Sequence, residues 1–429
     1  MTSNAAAAAN RADVGRLWRD ADFFKLWAAL SISLVGTEIT ALALPLIAAL
    51  TLGASPLQMG LLVAAGRAPF FLVSLPAGVW ADRVRRRPLL IGTDLGCALL
   101  LVSVPAASIL GTVHFAQLCV VAFGVGALGV LGEVAHYAYA PWLIGRQRLV
   151  EGNSKFQISH SAANSAGPGL AGLLIQLVSA PFAVLADAAS YLASAFLVST
   201  IGRREPPPEQ PTQREPLTPA IAAGLRALLG HPLLRPIVLA STMISFFGDA
   251  VVALYLLYAT RQLGLGPATI GLIFAAGGAC AIPGAMLAPW SGRRFGVGPA
   301  IVTGWTVAAL AGLLVPLAAG PPLAVVAILT AARALGGATD TVANIHQWTL
   351  RQAVTPDHLQ ARVTASHRFI VYGAGAFGAL LGGVLGAALG LRPALLACTI
   401  ATLLGPLVAA ASPLRRLRHQ PADAVMPAG

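Results

Sequence analysis

The sequence predicts an all-α integral membrane protein, with twelve transmembrane helices arranged as two pseudo-symmetric halves of six. Three observations predict it: the composition, the spacing of apolar segments and an internal repeat. Of the 429 residues, 57% are hydrophobic and only 10% are charged, whereas a soluble domain carries about a quarter charged residues. The apolar residues form blocks of about 20, the length that crosses a hydrocarbon core as a helix. The composition therefore excludes a soluble fold.

Glycine, proline and arginine residues divide the apolar sequence into twelve predicted spans. The spans are predicted to begin near Phe23, Leu57, Pro88, Phe115, Phe156, Phe182, Leu233, Ala268, Pro299, Leu323, Val363 and Pro393. The polar segment 202–232 is predicted to be a cytoplasmic linker between one half at 23–201 and another at 233–412. Residues 1–22 and 413–429 are predicted to be cytoplasmic tails.

The basic residues are concentrated on one side of this topology. Among 28 Lys and Arg residues, Arg67 and Arg333 fall inside predicted spans, and only Arg261 and Arg392 lie on predicted outer loops. Because Lys and Arg stay on the cytoplasmic side during insertion, we expect both termini to be cytoplasmic in an inner (plasma) membrane protein. The net charge of +12 then faces anionic lipid, and no nucleic-acid partner is expected.

The two halves align with each other at a nearly constant offset. Gly36 meets Gly248 at a shift of 212, Gly60 meets Gly271 at 211, and Gly172 meets Gly382 at 210. A parallel repeat of six spans is the architecture of transporters whose halves rock about a central site. A duplication that serves only assembly remains the alternative.

The loop after the second span is a cluster of charged residues between two apolar segments. It contains Gly78, Asp82, Arg83, Arg86 and Arg87 in the pattern Gly-x-x-x-Asp-Arg-x-x-Arg-Arg. With this spacing between the second and third spans, the chain resembles the major facilitator superfamily. Arg85 stands where the family has a second glycine. The resemblance implies that this motif latches the cytoplasmic side in the outward-open state.

Two further segments resemble the exporting branches of that superfamily. Ala163–Gly172 in the fifth span is similar to the antiporter signature through Gly167, Pro168 and Gly172, with alanines replacing two of its glycines. Proline and small residues let a helix bend and pack closely, although an ordinary packing face has the same composition. The sequence segments that begin at Phe182 and Thr355 resemble those of the branch that contains the enterobactin exporter and macrolide-efflux-type proteins.

Acidic residues inside the predicted spans are candidates for function, because an ionised side chain at the bilayer centre costs about 2.5 to 3.5 kcal/mol. The resemblance places Glu38, Glu133, Asp249 and Asp340 on cavity-lining helices. We hypothesise that Glu38 and Asp249 face each other and carry a proton or cationic substrate; a structural pairing is the alternative.

Arg333 and Asp340 lie two turns apart on the tenth span. This spacing suits an anion-contacting arginine or an internal ion pair. Asp94 is predicted to pair with the arginine-rich loop, and Asp187 to be a packing position.

These features predict a secondary active transporter for the proton-driven efflux of a small, largely apolar molecule such as a drug, a macrolide-like compound or a siderophore. The expected partners are that substrate, protons and membrane lipids, the expected state is a monomer, and no cofactor or metal is expected. The alternatives are an importing symporter or uniporter and, ranked lower, a receptor that does not transport. No nucleophile, metal-ligand or Walker pattern predicts an enzyme.

Overall fold

A computed structural model describes residues 16–74, 84–145, 148–203, 205, 217–356 and 359–419. Within these residues, twelve long helices and one linker helix, Leu217–Gly230, account for nearly all of the fold. The long helices are α1 (Ala21–Leu46), α2 (Pro56–Leu72), α3 (Arg86–Ile109), α4 (Phe115–Ile144), α5 (Leu149–Val178), α6 (Ala180–Ser199), α7 (Leu234–Leu257), α8 (Pro267–Phe295), α9 (Val297–Gly312), α10 (Pro322–Val354), α11 (Gln360–Leu389) and α12 (Leu391–Thr402, continued by Leu404–Ala411).

The helices begin within three residues of the predicted span starts, except that α5 begins at Leu149 rather than near Phe156. Ten helical segments of the described chain are long and apolar enough to cross a membrane. The described part of α2 has 17 residues, and the first half of α5 is polar, so neither is among the ten. Both pack inside the bundle, α2 against α4 and α11 and α5 against α1 and α8. The protein is therefore a multi-pass membrane protein.

The sequence repeat is present in the backbone at the same offset. A π-helical turn follows α1 at Ile47–Thr51, and another follows α7 at Tyr258–Gln262. Ser179 and Gly390 precede the last helix of each half, both with positive φ, 72° and 86°. The offset is 211 residues for both the π-helical turns and the positive-φ positions, so the halves share turn geometry as well as helix order.

Three helix pairs make the most extensive contacts between the two halves within the described residues. The pairs α2–α11, α5–α8 and α2–α7 join the halves. In each half the remaining helices pack mainly on their own neighbours, such as α1 on α6 and α8 on α10. We call the end of the bundle where α1, α3 and α11 begin the linker end, because the linker helix packs there on α11, with Gly224 against Arg362. The opposite end is the far end.

Candidate functional site

Glycine contacts between backbones join the halves in the part of the bundle toward the far end. A Cβ on Gly60 of α2 would lie 2.6 Å from the carbonyl oxygen of Ala379 of α11. A Cβ on Gly172 of α5 would lie 2.5 Å from the carbonyl oxygen of Pro267 of α8. Real Cβ atoms do not approach other atoms this closely, so both helix crossings depend on glycine.

The segment that resembles the antiporter signature forms the α5–α8 crossing. The carbonyl oxygen of Pro168 lies against Gly271. Pro168 also removes a hydrogen-bond donor from the helix, which releases the carbonyl of Asn164, and that carbonyl lies against Gly278 of α8. The segment is therefore a contact between the halves.

Gly167, in the same segment, faces the other way and contacts Glu38 of α1. A Cβ on Gly167 would lie 2.6 Å from the Cβ of Glu38. Within the described residues, no hydrogen bond or ion pair joins Glu38 to another group. Glu38 is thus a half-buried carboxylate of α1 that packs against α5, one of the two helices of the crossing.

Asp249 of α7 binds a cation from the other half. Its Oδ1 accepts a hydrogen bond of 3.0 Å from Nη2 of Arg67 of α2. The Asp249 side chain is only 6% exposed, and its Oδ2 has no hydrogen-bond partner. The Arg67 guanidinium also lies 5.8 Å from the centre of the Tyr372 ring of α11. The structural pairing of Glu38 with Asp249, which was the alternative, is not seen among the described residues, because Arg67 binds Asp249 while Glu38 packs on Gly167. That the two acids face each other and carry a proton or cationic substrate stays a prediction.

A second ion pair joins the halves closer to the linker end. Nη1 of Arg368 of α11 lies 2.9 Å from Oε1 of Glu133 of α4. Arg368 lies two turns inside α11, which begins at Gln360, so it belongs with Arg67 and Arg333 among the arginines within spans. Its ion pair with Glu133 makes a position inside the helix favourable.

Arg333 and Asp340 of α10 bind different neighbours, so the structure does not contain an ion pair between them, one of the two alternatives that their spacing allowed. The Arg333 guanidinium lies 4.6 Å from the ring centre of Tyr255 and 4.1 Å from that of Phe274. Oδ2 of Asp340 accepts a hydrogen bond of 2.8 Å from Asn344. Aromatic faces stabilise the arginine cation, and the amide donor stabilises the carboxylate.

Two further acids lie between α1, α3 and α6. Asp187 is fully buried and accepts hydrogen bonds from Thr40 and Ser190, which agrees with a packing role. Asp94 accepts a hydrogen bond of 2.6 Å from Ser194. In the described part of the arginine-rich loop, no arginine forms an ion pair with Asp94, so the predicted pairing is not seen there.

The described part of the charged loop motif is bound by the start of the linker and by α6. Oε2 of Glu205 accepts hydrogen bonds from the backbone N–H groups of Arg86 and Arg87, at 2.8 and 3.1 Å. A carboxylate at this position caps the N-terminus of α3 and complements its dipole. The Arg87 side chain donates to the carbonyl of Ser199 of α6. Gly78, Asp82 and Arg83 lie outside the described residues.

A cavity of about 590 Å³ lies in the second half, toward the linker end. It is lined by Ser241, Ile244, Ser245, Trp305, Asp340, Thr341, Asn344, Ile345, Gln347, Trp348, Arg351, His367, Arg368, Val371 and Tyr372. The lining comes from the second half of α10 and the first half of α11, together with α7 and α9. Its volume is that of a small-molecule site.

Arg351 and His367 line this cavity, and sequence reasoning missed both. Arg351 lies near the end of α10, where an arginine is expected merely because basic residues stay on the cytoplasmic side. The length of α10 could have identified Arg351. This helix has 33 residues, more than the 20 or so that cross a membrane, so Arg351 is still part of the helix rather than of a loop. His367 lies inside the predicted eleventh span, and a titratable side chain within a span could have marked it as a candidate.

Polar contacts between the halves close the far end. Nη2 of Arg261, just after α7, donates to the carbonyl of Ala54 at 2.8 Å. The backbone N–H of Ala268 donates to Oε1 of Gln176 at 3.2 Å. Together with the glycine crossings, these bonds hold the halves together at the end opposite the cavity.

Known proteins match both this sequence and this fold. The major facilitator family model described as "Transmembrane secretion effector" matches residues 17–427. The multidrug efflux pump Tap of Mycolicibacterium fortuitum is 28% identical over 92% of this chain and 95% of its own. The enterobactin exporter EntS of Escherichia coli O1:K1 / APEC is 27% identical over 77% of each chain.

The solved structure of a bacterial homologue of the iron transporter ferroportin has the same fold. It is 15% identical in its inward-facing state and covers 91% of this chain and 98% of its own, with a TM-score of 0.73. The outward-facing state of that homologue gives a TM-score of 0.56 at 16% identity, with the same coverage. These matches confirm the predicted resemblance, the all-α membrane transporter fold and the prediction of a transporter rather than an enzyme. The chain belongs to the transmembrane secretion effector family of the major facilitator superfamily.

Proposed function

We propose that this protein exports a small, largely apolar molecule by alternating access, driven by the proton gradient, and that the structure is its inward-open state. The observation that carries the proposal is that the two ends of the bundle differ: the halves are in contact at the far end, whereas the cavity lies toward the linker end. Two glycine crossings and the bonds of Arg261 and Gln176 join the halves at the far end. The cavity of about 590 Å³ lies toward the opposite end.

The orientation follows from the distribution of positive charge. The linker and the helix ends beside it carry most of the arginines, so the linker end faces the cytoplasm in our proposal. Both chain termini are then cytoplasmic in the inner membrane, and the cavity takes substrate from the cytoplasmic side. In this proposal the carrier acts as a monomer that contacts membrane lipids, without a nucleic-acid partner.

The efflux direction is supported by the relatives. Tap is named a multidrug efflux pump and EntS an enterobactin exporter. The substrate class of a drug, macrolide-like compound or siderophore belongs to the proposal, and import by a symporter or uniporter is the alternative outcome of the transport assay.

Glu38 is the residue that we propose carries the coupling proton. Protonation removes a charge that costs about 2.5 to 3.5 kcal/mol in a span, and no bound cation among the described residues offsets that charge. The Glu38 side chain packs on Gly167, which lies next to the Pro168 contact with α8. A change of charge at Glu38 thus acts directly on a helix of the interface.

The test is substrate accumulation in cells that lack their own exporters, with and without this protein, before and after an uncoupler collapses the proton gradient. We expect lower accumulation of drugs or siderophores, lost on uncoupling. Raised accumulation would establish import instead. Unchanged accumulation across a broad panel would contradict transport of these substrate classes.

Two substitutions test the carboxylates separately. We expect Glu38→Gln to abolish proton-dependent export while counterflow exchange of substrate continues, because exchange needs no net proton movement. Asp249→Asn removes the Arg67 partner and is expected to reduce both export and exchange. Proton-driven export that is unchanged in both variants would disprove the role of these acids.

A further inference from the structure

The linker-end part of the cavity contains polar groups without partners. Arg351 is 4% exposed, Gln347 is 7% exposed and His367 is 8% exposed, and all three line the cavity. Nη1 of Arg351, Oε1 of Gln347 and Nε2 of His367 find no hydrogen-bond partner among the described residues. Buried polar groups are almost always hydrogen-bonded, so three unpartnered groups beside one cavity indicate a missing ligand.

The local charge gives the sign of that ligand. Arg351, His367 and Arg368 all line this cavity. Glu133 neutralises Arg368 through the 2.9 Å ion pair, whereas no carboxylate of the described residues pairs with Arg351. Asp340, the acid in the cavity lining, lies three turns before Arg351 on α10 and binds Asn344. Around Arg351, three turns away from Asp340, the uncompensated charge is therefore positive.

Part of the remaining wall is apolar and aromatic, and hydroxyl and amide side chains, among them Ser241, Ser245 and Asn344, complete it. Trp305, Trp348 and Tyr372 supply rings, and Ile244 and Val371 supply aliphatic surface. A guanidinium presents several donors in one plane, which suits the two oxygens of a carboxylate. The walls suit the apolar body of the same molecule.

We propose that the site formed by Gln347, Arg351 and His367 binds the acidic group of an amphipathic organic anion, the substrate class that this carrier moves. The assignment rests on the proposed transport function. Arg351 contacts the acidic oxygens, and the amide of Gln347, which offers a donor or an acceptor according to its orientation, contacts a neighbouring polar group. The aromatic walls hold the apolar body.

The test is equilibrium binding to the purified full-length protein in phosphatidylcholine nanodiscs. The probes are tritiated 2-naphthoate and tritiated 2-naphthalenemethanol, which share a ring system and differ in charge. We expect the wild type to bind naphthoate at least about tenfold more tightly than the alcohol, the size of one charge-assisted contact. Arg351→Gln is expected to remove this difference and leave alcohol binding unchanged.

Two variants control for folding and for general positive charge. Arg351→Lys keeps the charge and is expected to retain most of the preference for naphthoate. Arg294→Gln removes an exposed arginine at the end of α8 and should bind both probes like the wild type. Equal naphthoate binding by wild type and Arg351→Gln would overturn the proposal, and so would an equal loss in Arg294→Gln.

A lipid phosphate offers the same anionic chemistry, and a second arm separates it from a substrate. The naphthoate titration is repeated in nanodiscs that contain phosphatidylglycerol. Displacement of naphthoate from the wild type would assign the site to a lipid headgroup and overturn the substrate assignment, whereas unchanged binding supports it. The binding assay does not depend on transport. If the protein prefers naphthoate but does not export, the result contradicts the proposed export function and leaves the anion site supported.

Discussion

The α5–α8 and α2–α11 crossings are related by the repeat, yet they hold the halves together in different ways. At α5–α8, Gly172 packs on Gly271, and the Asn164 carbonyl packs on Gly278. Around α2 and α11, a glycine contact lies at the far end, and the Arg67–Asp249 and Glu133–Arg368 ion pairs lie closer to the linker end. Stacked rings of Phe71 and Phe369, with centres 4.7 Å apart, lie among them.

One repeated position accounts for much of this difference. Arg67 of α2 corresponds to Gly278 of α8 at the shift of 211. Glycine lets two backbones touch and form weak Cα–H···O contacts that have no alternative partner. An arginine can exchange one partner for another. We infer that the α5–α8 crossing is a fixed pivot and the α2–α11 side is a switch that breaks and forms ion pairs.

The largest expected effect comes from filling the pivot. Gly172→Leu places a side chain where the Pro267 carbonyl and Gly271 backbone lie, so the halves are forced apart. We expect at least about a tenfold loss of export and a lower melting temperature. Gly129→Leu on α4 is the matched control, because no atom of the described residues lies within 4 Å of a Cβ there. Equal losses in both variants would contradict the pivot.

The next effect tests the buried ion pair of the switch. Arg67→Met leaves the 6% exposed Asp249 side chain without its cation, and we expect a loss of about 3 kcal/mol in the free energy of unfolding. Asp249→Asn added to Arg67→Met should recover most of that loss. Denaturant unfolding of the two single variants and the double variant measures the coupling. Additive losses would show that the pair is not coupled.

A smaller effect is expected at the second ion pair. The Glu133 and Arg368 side chains are 35% and 38% exposed, so their interaction contributes no more than about 1 kcal/mol. Glu133→Gln should shift the equilibrium away from the inward-open state by roughly fivefold at most. Distances between spin labels at the linker ends of α4 and α11 measure that shift. A larger shift would contradict the weak coupling expected of exposed charges.

The smallest effect concerns turns outside both crossings. Ser179 adopts φ 72° and ψ 158°, a conformation that favours glycine, and Gly390 occupies the equivalent position. Ser179→Gly should raise the free energy of unfolding by about 1 kcal/mol, and Gly390→Ser should lower it by a similar amount. Export should change in neither variant. Thermal unfolding checks the opposite signs.

The helices and their repeat could be predicted from the sequence because apolar length and glycine spacing are local signals. The start of α5 was missed because its first two turns contain Glu151 and Lys155, which form their own ion pair of 3.1 Å. Helix pairing was not predictable in the same way. The sequence identified Glu38 and Asp249 correctly as embedded acids, but the partner of Asp249 lies on α2 of the other half, 182 residues away.

The candidate binding site was harder to predict for a related reason. Arginines at helix ends serve membrane topology in most cases, and sequence alone does not separate those from an arginine inside a bundle. Arg351 is distinguished by being 4% exposed without an anionic partner among the described residues, which is a property of the packed fold. The domain limits and the gating role of Arg86 and Arg87 stay predictions.

The carboxylate of Glu205 on the N-terminus of α3 has a consequence for how far the halves can separate. It fixes the start of the linker to the first half, and the contact of Gly224 with α11 fixes the linker helix to the second. The segment from Glu205 to Leu217 can therefore bridge at most about 40 Å, the length of a fully extended chain of that many residues. The covalent connection thus acts as a tether fixed at both ends, and its contour length sets an upper limit on the opening at the linker end.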